Sequence, residues 1–348
     1  MSAARSQQLD GLRGLAVLGV AWFHWAPPGW RVPFPFEAGL FFFFVASGFL
    51  VTSNLLRERA RGTGGGAVWR RFLARRGLRI LTPYLGALAL AAVLGAGDVR
   101  SAAPWYVLPL CNVHMALTGI EPAGITHFWT LAIQQQFYLL WPALVLFMPR
   151  RALPAVVAVL VLVAPLWRMV GPMLVPGVPD PSLFGITALD YFGCGTLLAL
   201  ARWRQPEGRL RGLVPLAWLA LAGYGVLYAA WSAGQPVPGL RWFQQTLLAV
   251  ACCGMIDAAV RGHAGRWLDH PVLQRAGTLS YSLFLFHNLS PLIAGWLAPA
   301  LWTPGFDTPA GHLLRLAAFA ALSWAMAAAS WRWLEQPAEH LRRRIPAG

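Results

Sequence analysis

The chain has 348 residues, of which 57% are hydrophobic and only 12% charged, against about 25% charged in ordinary soluble domains. Segments of about twenty residues almost free of charge recur along it, which excludes a soluble core and predicts spans that cross a hydrocarbon layer of about 30 Å. The formal net charge of +15 would suit nucleic acid, but all 28 basic residues are arginine and most lie between the apolar segments, so the charge reports membrane topology first and nucleic acid is not an expected partner.

The apolar segments fall at 9–26, 37–56, 80–97, 128–148, 152–172, 186–201, 213–231, 242–261, 278–298 and 312–333. The expected fold is all-α, a polytopic integral membrane helical bundle of about ten transmembrane helices. The 18 tryptophans suit its interfacial belts. The first segment reads as a span and not as a cleaved signal peptide, because it carries Asp10 and Arg13 and lacks a small-residue cleavage site. With the N-terminus inside, 23 arginines lie on inner segments and five outside, namely Arg31, Arg100, Arg168, Arg241 and Arg315. The positive-inside rule then places both termini in the cytoplasm. The organisation expected is a single membrane domain over residues 1–348 with no soluble appended domain. The Arg-rich stretch 57–79, with Gly64, Gly65 and Gly66, reads as a flexible inner loop. Cys111, Cys194, Cys252 and Cys253 form no CxxC pair, so no metal site is expected and packing between helices is the reading of these residues.

In chain order, the first helix places Asp10 and Arg13 at i,i+3, where they can pair. Arg13 and His24 are eleven residues apart, three turns plus about 20°, so they share a face about 16 Å apart. Ionisable groups inside a membrane usually face a water-filled path or a site. A neutral histidine there can act as general base, or it can be an interfacial residue bonded to a neighbouring helix. Ser47 and Gly48 in the second span allow close approach of a backbone or ligand. Arg76 and Arg79 lie i,i+3 at the start of the third span, either as a forked phosphate-binding pair or as topology anchors. Gln134, Gln135 and Gln136 open the fourth span, with Tyr138 on the face of Gln134. Ser280 and His287 share a face of the ninth span, and Glu335 closes the last.

These residues occur in motifs that resemble the membrane-bound acyltransferase 3 family, which modifies lipopolysaccharide, peptidoglycan, other glycans and some natural products. The marks are the Arg-x10-His of Arg13 and His24, the FFxxSGF of Phe43 to Phe49, the RxxRIxxPY of Arg76 to Tyr84, the WxLxxxxQFYLLWP of Trp129 to Pro142, the LSYSxFLxH of Leu279 to His287 and the terminal Glu335-Gln-Pro. The resemblance runs from Leu9 to about Leu341. It implies an enzyme that moves an acyl group, acetyl in the first instance, from acyl-CoA to a hydroxyl of a glycan, a lipid-linked sugar or a small natural-product acceptor. Acyl-CoA is then a co-substrate and no bound cofactor is implied. On that reading His24 activates the acceptor, Arg13 lines the channel, and Arg76 and Arg79 hold the donor phosphates. Asp10, Gln134, Tyr138, His287 and Glu335 support them. The setting implied is a multi-pass protein of a bacterial inner membrane, in contact with membrane lipids. One departure bears on activity: the family usually has glutamates where this chain has Gln134 and Gln135, and an amide cannot take a proton as a carboxylate does. Asp190 is a candidate substitute, which the sequence does not place beside His24. A transporter, or a catalytically silent member of the family, is the alternative.

Topology is testable directly. Reporter fusions at residue 348 and after residue 61 should read cytoplasmic and one near Ala103 should read external. An internal signal at Ala103 overturns the span assignment.

Overall fold

The computed structural model describes residues 6–62, 64–206, 208, 210–237 and 239–345, and among them it is helical, without strands. The longer helices are α1 (Gln7–Trp25), α2 (Ala38–Ala60), α3 (Gly65–Leu94), α6 (Phe128–Phe147), α7 (Leu153–Leu174), α8 (Leu189–Arg204), α9 (Leu213–Ser232), α10 (Arg241–Val260) and α14 (Pro309–Ser330). Short helices α4 (Ala103–Val107) and α5 (Cys111–Thr118) cover one end of the bundle. Three more, α11 (Pro271–Thr278), α12 (Ser280–Phe286) and α13 (Leu289–Leu297), follow one another closely, and α15 (Gln336–Arg344) ends the chain. Below, the end of the bundle at which α1 begins is called proximal and the end at which it finishes distal.

Among the described residues, seven helices are long and apolar enough to cross a membrane: α2, α3, α6, α7, α9, α10 and the continuous stretch Pro309–Arg344. The protein is thus an all-α, multi-pass membrane bundle. Three other segments differ from a simple span. Helix α1 has the length, 19 residues, but Gln7, Gln8, Asp10, Arg13 and His24 lower its hydropathy. Helix α8 has only 16 residues. The segment 278–298 is broken at Leu279 and again at His287–Asn288, and such breaks in a membrane bundle occur where protein covers the freed backbone groups. The stretch 57–79 is not the flexible loop expected of it. Helix α2 runs to Ala60 and α3 starts at Gly65 with Gly64 as its cap, so most of the arginines sit on helices. Gly65 and Gly66 start α3 rather than loosen it.

Backbone proximity sets the layout. A Cβ on Gly277 would lie 1.9 Å from the Asp10 carbonyl, and Cβ atoms on Gly11 and Gly14 would strike the Leu268 and Leu273 carbonyls at 2.2 Å. Helix α1 therefore lies backbone-to-backbone on α11 and its approach. Likewise Gly48 faces the Phe192 carbonyl at 2.2 Å and Gly195 the Val45 carbonyl at 2.1 Å, which clamps α2 on α8. Small residues of this kind drive helix association in lipid, where apolar burial alone cannot.

The segment after α3 is tied by Asp98, which accepts a 2.6 Å hydrogen bond from the Tyr106 hydroxyl and meets His114 Nε2 at 2.6 Å. Burial pushes the Asp98 carboxyl up, but the bonds from Tyr106 and His114 outweigh it and hold it below the usual carboxylate range. A depressed carboxyl contributes stability at pH values above its unfolded value, about 3.9, and that contribution is lost as pH falls through the folded value.

Two results are expected. Gly277→Ala and Gly195→Ala should each cost about 1–3 kcal/mol or more through overpacking, seen as a lower melting temperature in detergent. In contrast Gly225→Ala on α9, where nothing lies within 4 Å, should gain roughly 0.5–1 kcal/mol. Hydrogen exchange in 98–118 should accelerate below about pH 4, and Asp98→Asn should remove that acid step.

Candidate active site

The residues singled out in the sequence gather in two groups joined by α1. The proximal group lines a cavity of 140 Å³ that includes Arg13, Arg76, Arg79, Gln134, Tyr138 and Ser280. Arg13 meets Asp10 at 3.3 Å and donates to Ser280 Oγ at 3.0 Å. Arg76 donates to the Tyr138 hydroxyl and lies over its ring, 4.1 Å from the centroid. The same hydroxyl is 2.9 Å from Ser47 Oγ, which accepts from Gln134 Nε2 at 2.8 Å. Ser47 is thus engaged by a tyrosine and an amide, and no histidine or carboxylate among the described residues bonds it, so packing and hydrogen bonding, not nucleophilic attack, account for it.

Arg79 differs from its neighbours. Its side chain is exposed by area while protein surrounds it closely, which is the condition of a group in an open cleft. Among the described residues it forms no hydrogen bond or ion pair, yet it lies within Coulombic range of Arg76 and Arg13. A cationic pocket with an unspent guanidinium fork is a site for an anion. Two carboxylates, Glu335 and Glu339, lie within Coulombic range of Arg79, and Glu335 stands at the end of a π-helical turn, Trp331–Glu335. The turn tilts Glu335 inward onto the hydroxyl of Ser282, which also reaches Ser330 Oγ at 3.2 Å. Single π turns interrupt α-helices mostly at functional positions.

The distal group is a cluster of three histidines. His24 lies 5.1 Å from His287 and 6.4 Å from His127, ring centre to ring centre, and His127 lies 4.5 Å from His287. His127 was not picked out by its spacing, since it only precedes the tryptophan that begins the α6 motif. Both its nitrogens are held: Nε2 faces the Leu285 carbonyl at 3.3 Å and Nδ1 faces Asn288 Nδ2 at 3.2 Å, which fits a neutral ring with its proton on Nε2. His287 holds the Phe284 carbonyl through Nδ1 at 2.8 Å, and its buried Nε2 has no partner among the described residues. His24 is half-buried and has no hydrogen-bond partner among the described residues. No set of three His, Cys, Asp or Glu among the described residues is arranged to hold a metal ion.

Phe284 stands between the groups. It lines the arginine cavity, and its ring centre lies 5.2 Å from that of His127 and 5.5 Å from that of His287. Segment α12 thus runs beside the second half of α1, with Ser280 on Arg13 at one end and His287 beside His24 at the other.

The glutamines divide in role. Gln134 sits in the cavity wall two turns from His127 and bonds to Ser47, not to a histidine. Gln136 donates to the Pro109 carbonyl and to Asn112 Oδ1. Gln135 keeps both amide atoms buried without a partner. Asp190 does not stand in for a missing glutamate. Arg168 grips it at 2.7 and 2.9 Å and Thr246 donates to it at 2.6 Å, so a strong neighbouring cation fixes it away from the histidines.

Tyr138→Phe removes the hydroxyl that Arg76 and Ser47 share. Loss of a hydrogen bond to a charged group costs about 1.5–3 kcal/mol, so its melting temperature in detergent should fall further than that of Ser47→Ala. Equal shifts would mean that Arg76 finds another acceptor.

Residues 6–331 match a family model described as an acyltransferase domain. Peptidoglycan O-acetyltransferase OatA of Listeria monocytogenes is 28% identical over 368 residues, covering 94% of this chain and 55% of its own length. Nodulation protein 10 of Rhizobium leguminosarum bv. viciae is 29% identical, covering 94% of this chain and 89% of its own. Putative peptidoglycan O-acetyltransferase YrhL of Bacillus subtilis is 27% identical over 80% of this chain and 47% of its own length. The chain thus spans about half the length of these two O-acetyltransferases. No solved structure matches it. With the match running from the start of α1 to the π turn that carries Glu335, and with the arginine cavity and histidine cluster assembled from its motifs, the chain belongs to the acyltransferase 3 family.

Proposed function

We propose that the protein transfers an acetyl group from acetyl-CoA, on the cytoplasmic side of a bacterial inner membrane, to a hydroxyl of a glycan on the outer side. The observation that carries this reading is the pairing of an unspent cationic cavity at one end of α1 with an unpartnered histidine at the other. Arg76 and Arg79 hold the donor phosphates at the proximal mouth, the side on which α1 begins and α15 ends. Arg13, fixed by Asp10 and Ser280, lines the way between. Gln134 and Tyr138 shape the cavity wall, and Glu335 balances part of its charge. The named O-acetyltransferase relatives support an acetyl donor and a glycan acceptor, peptidoglycan being the acceptor named for two of them.

The chemistry requires little of the protein beyond position and one base. A neutral His24 nitrogen takes the proton of the acceptor hydroxyl as that oxygen attacks the thioester carbonyl. The carbon–sulfur bond breaks, and the imidazolium returns its proton to the departing thiolate. Free product is an O-acetyl ester and a thiol. The cavity of 140 Å³ is smaller than the roughly 300–1,000 Å³ of ligand pockets, so donor passage displaces Phe284 from between the two groups.

Membranes given radiolabelled acetyl-CoA and extracted cell glycans should yield labelled, base-labile glycan. His24→Ala should cut the rate by about 10²–10⁴ with normal insertion. Arg76→Ala with Arg79→Ala should raise the donor requirement, each lost contact costing about 1.5–3 kcal/mol. His287→Ala should reduce protein level before specific activity. A His24→Ala protein with most of its specific activity contradicts the assignment of the base.

A further inference from the structure

A second, larger cavity of 450 Å³ opens between α2, α6, α7, α8, α9 and α10, apart from both groups described above. Its walls come from the start of α2, the start of α6, the end of α7, the end of α9 and the start of α10. Those are the distal ends of these helices, the end that also holds His24. We propose that this cleft binds the body of a saccharide acceptor by aromatic stacking and planar hydrogen bonding. The inference rests on the glycan reading above and adds a separate place on the protein where the glycan is held.

The lining decides the ligand class. Nine of the 22 lining residues are aromatic and only two are leucine, with no valine or isoleucine. An acyl or prenyl chain is better matched by aliphatic walls. A pyranose ring presents an apolar C–H face that lies flat on an aromatic ring, and hydroxyls around its edge that call for planar acceptors and donors. Both kinds of partner are present. Tyr228 and Trp231 lie 5.9 Å apart on one wall and Trp129 and Trp167 contribute others, while Glu37 and Gln245 supply carboxylate and amide. A polyanion is not favoured. Glu37 and Asp180 offset Arg241, and Arg168 is already committed to Asp190.

A second observation points to a ligand. Tyr191 lines the cleft, is 1% exposed, and has a hydroxyl without a hydrogen-bond partner among the described residues. Phe41 stacks on its ring at 4.7 Å and holds it in place. The buried Nε of Arg168, also in the lining, is unpartnered as well. Unmet buried polar atoms are costly, and a hydroxyl-rich ligand would satisfy them. Position supports the same assignment. Phe44 is a common wall of this cleft and of the arginine cavity, and Trp129 is two residues from His127.

The test uses the full chain in lipid nanodiscs and two soluble probes, N-acetylchitotetraose and maltotetraose, with binding read by titration calorimetry. Wild type should bind at least one. Trp231→Ala, at a side chain 48% exposed and so harmless to folding, and the conservative Glu37→Gln should each raise Kd tenfold or more, with Trp231→Phe recovering most of the loss. Binding of neither probe by wild type, or equal binding by wild type and both variants, overturns the proposal. Labelled acetyl transfer measured in the same preparations separates the two readings. Transfer with an unchanged KM for glycan in both variants condemns the cleft alone. Variant-sensitive saccharide binding by a wild type that transfers nothing condemns the transfer reading and leaves the cleft.

Discussion

Every guanidinium carried into an apolar bundle has to be met by protein, because lipid offers no partner and an uncompensated buried charge costs several kcal/mol. That constraint organises this molecule. Arg168 closes on Asp190 with two hydrogen bonds, Arg202 on Asp257, and Arg13 on Asp10 and Ser280. Arg59 reaches the last carbonyls of α6 at Val145 and Met148, both at 2.7 Å, where a helix C-terminus favours positive charge. Apart from Arg13–Asp10, which lies within α1, each of these contacts also ties one helix to another, so the polar contacts specify which helices meet. The glycines then determine how near they come.

The polar groups left unmet are as informative as those that are met. Arg79 in its cleft and the hydroxyl of Tyr191 lie along the cavities, while the buried Nε2 of His287 lies behind His24, outside the lining of either. Satisfied groups form the scaffold, and where an unsatisfied one lines a cavity a substrate can supply the missing partner. Gln135, Trp69, Arg71, Arg75 and Ser323 also keep buried polar atoms without a hydrogen-bond partner among the described residues, and neither cavity reaches them; we have no physical account of them.

Much of this was legible in the sequence because it depends on a single helix. The three-turn spacing of Arg13 and His24, the Asp10–Arg13 pair and the shared face of Gln134 and Tyr138 follow from helix period alone. What crosses between helices was not legible. His127 gains its meaning only from Asn288 and His287, 161 and 160 positions away in the chain. Asp190 looked like a free carboxylate until the structure placed Arg168 on it. The stretch 57–79 looked like a loop because charge and glycine are common in loops, whereas long helices can carry arginines on into the interface. The break at Leu279 has no proline to announce it, whereas Pro291 lies four residues after His287, where its ring disfavours a helix running through the His287 carbonyl; that α12 lies beside α1 is visible only in the structure. Glu335 was marked by position near the membrane boundary, but a π turn, which turns it inward to Ser282, has no sequence period to reveal it.

The central claim is that the arginine cavity and the histidine cluster are two ends of one donor path. A structure of the protein with a non-hydrolysable acetyl-CoA analogue tests it most directly. The account predicts phosphate density on Arg76 and Arg79, a displaced Phe284 ring, and the acetyl carbon beside His24. Phosphates bound elsewhere, or an acetyl group that ends short of an unmoved Phe284, would contradict it.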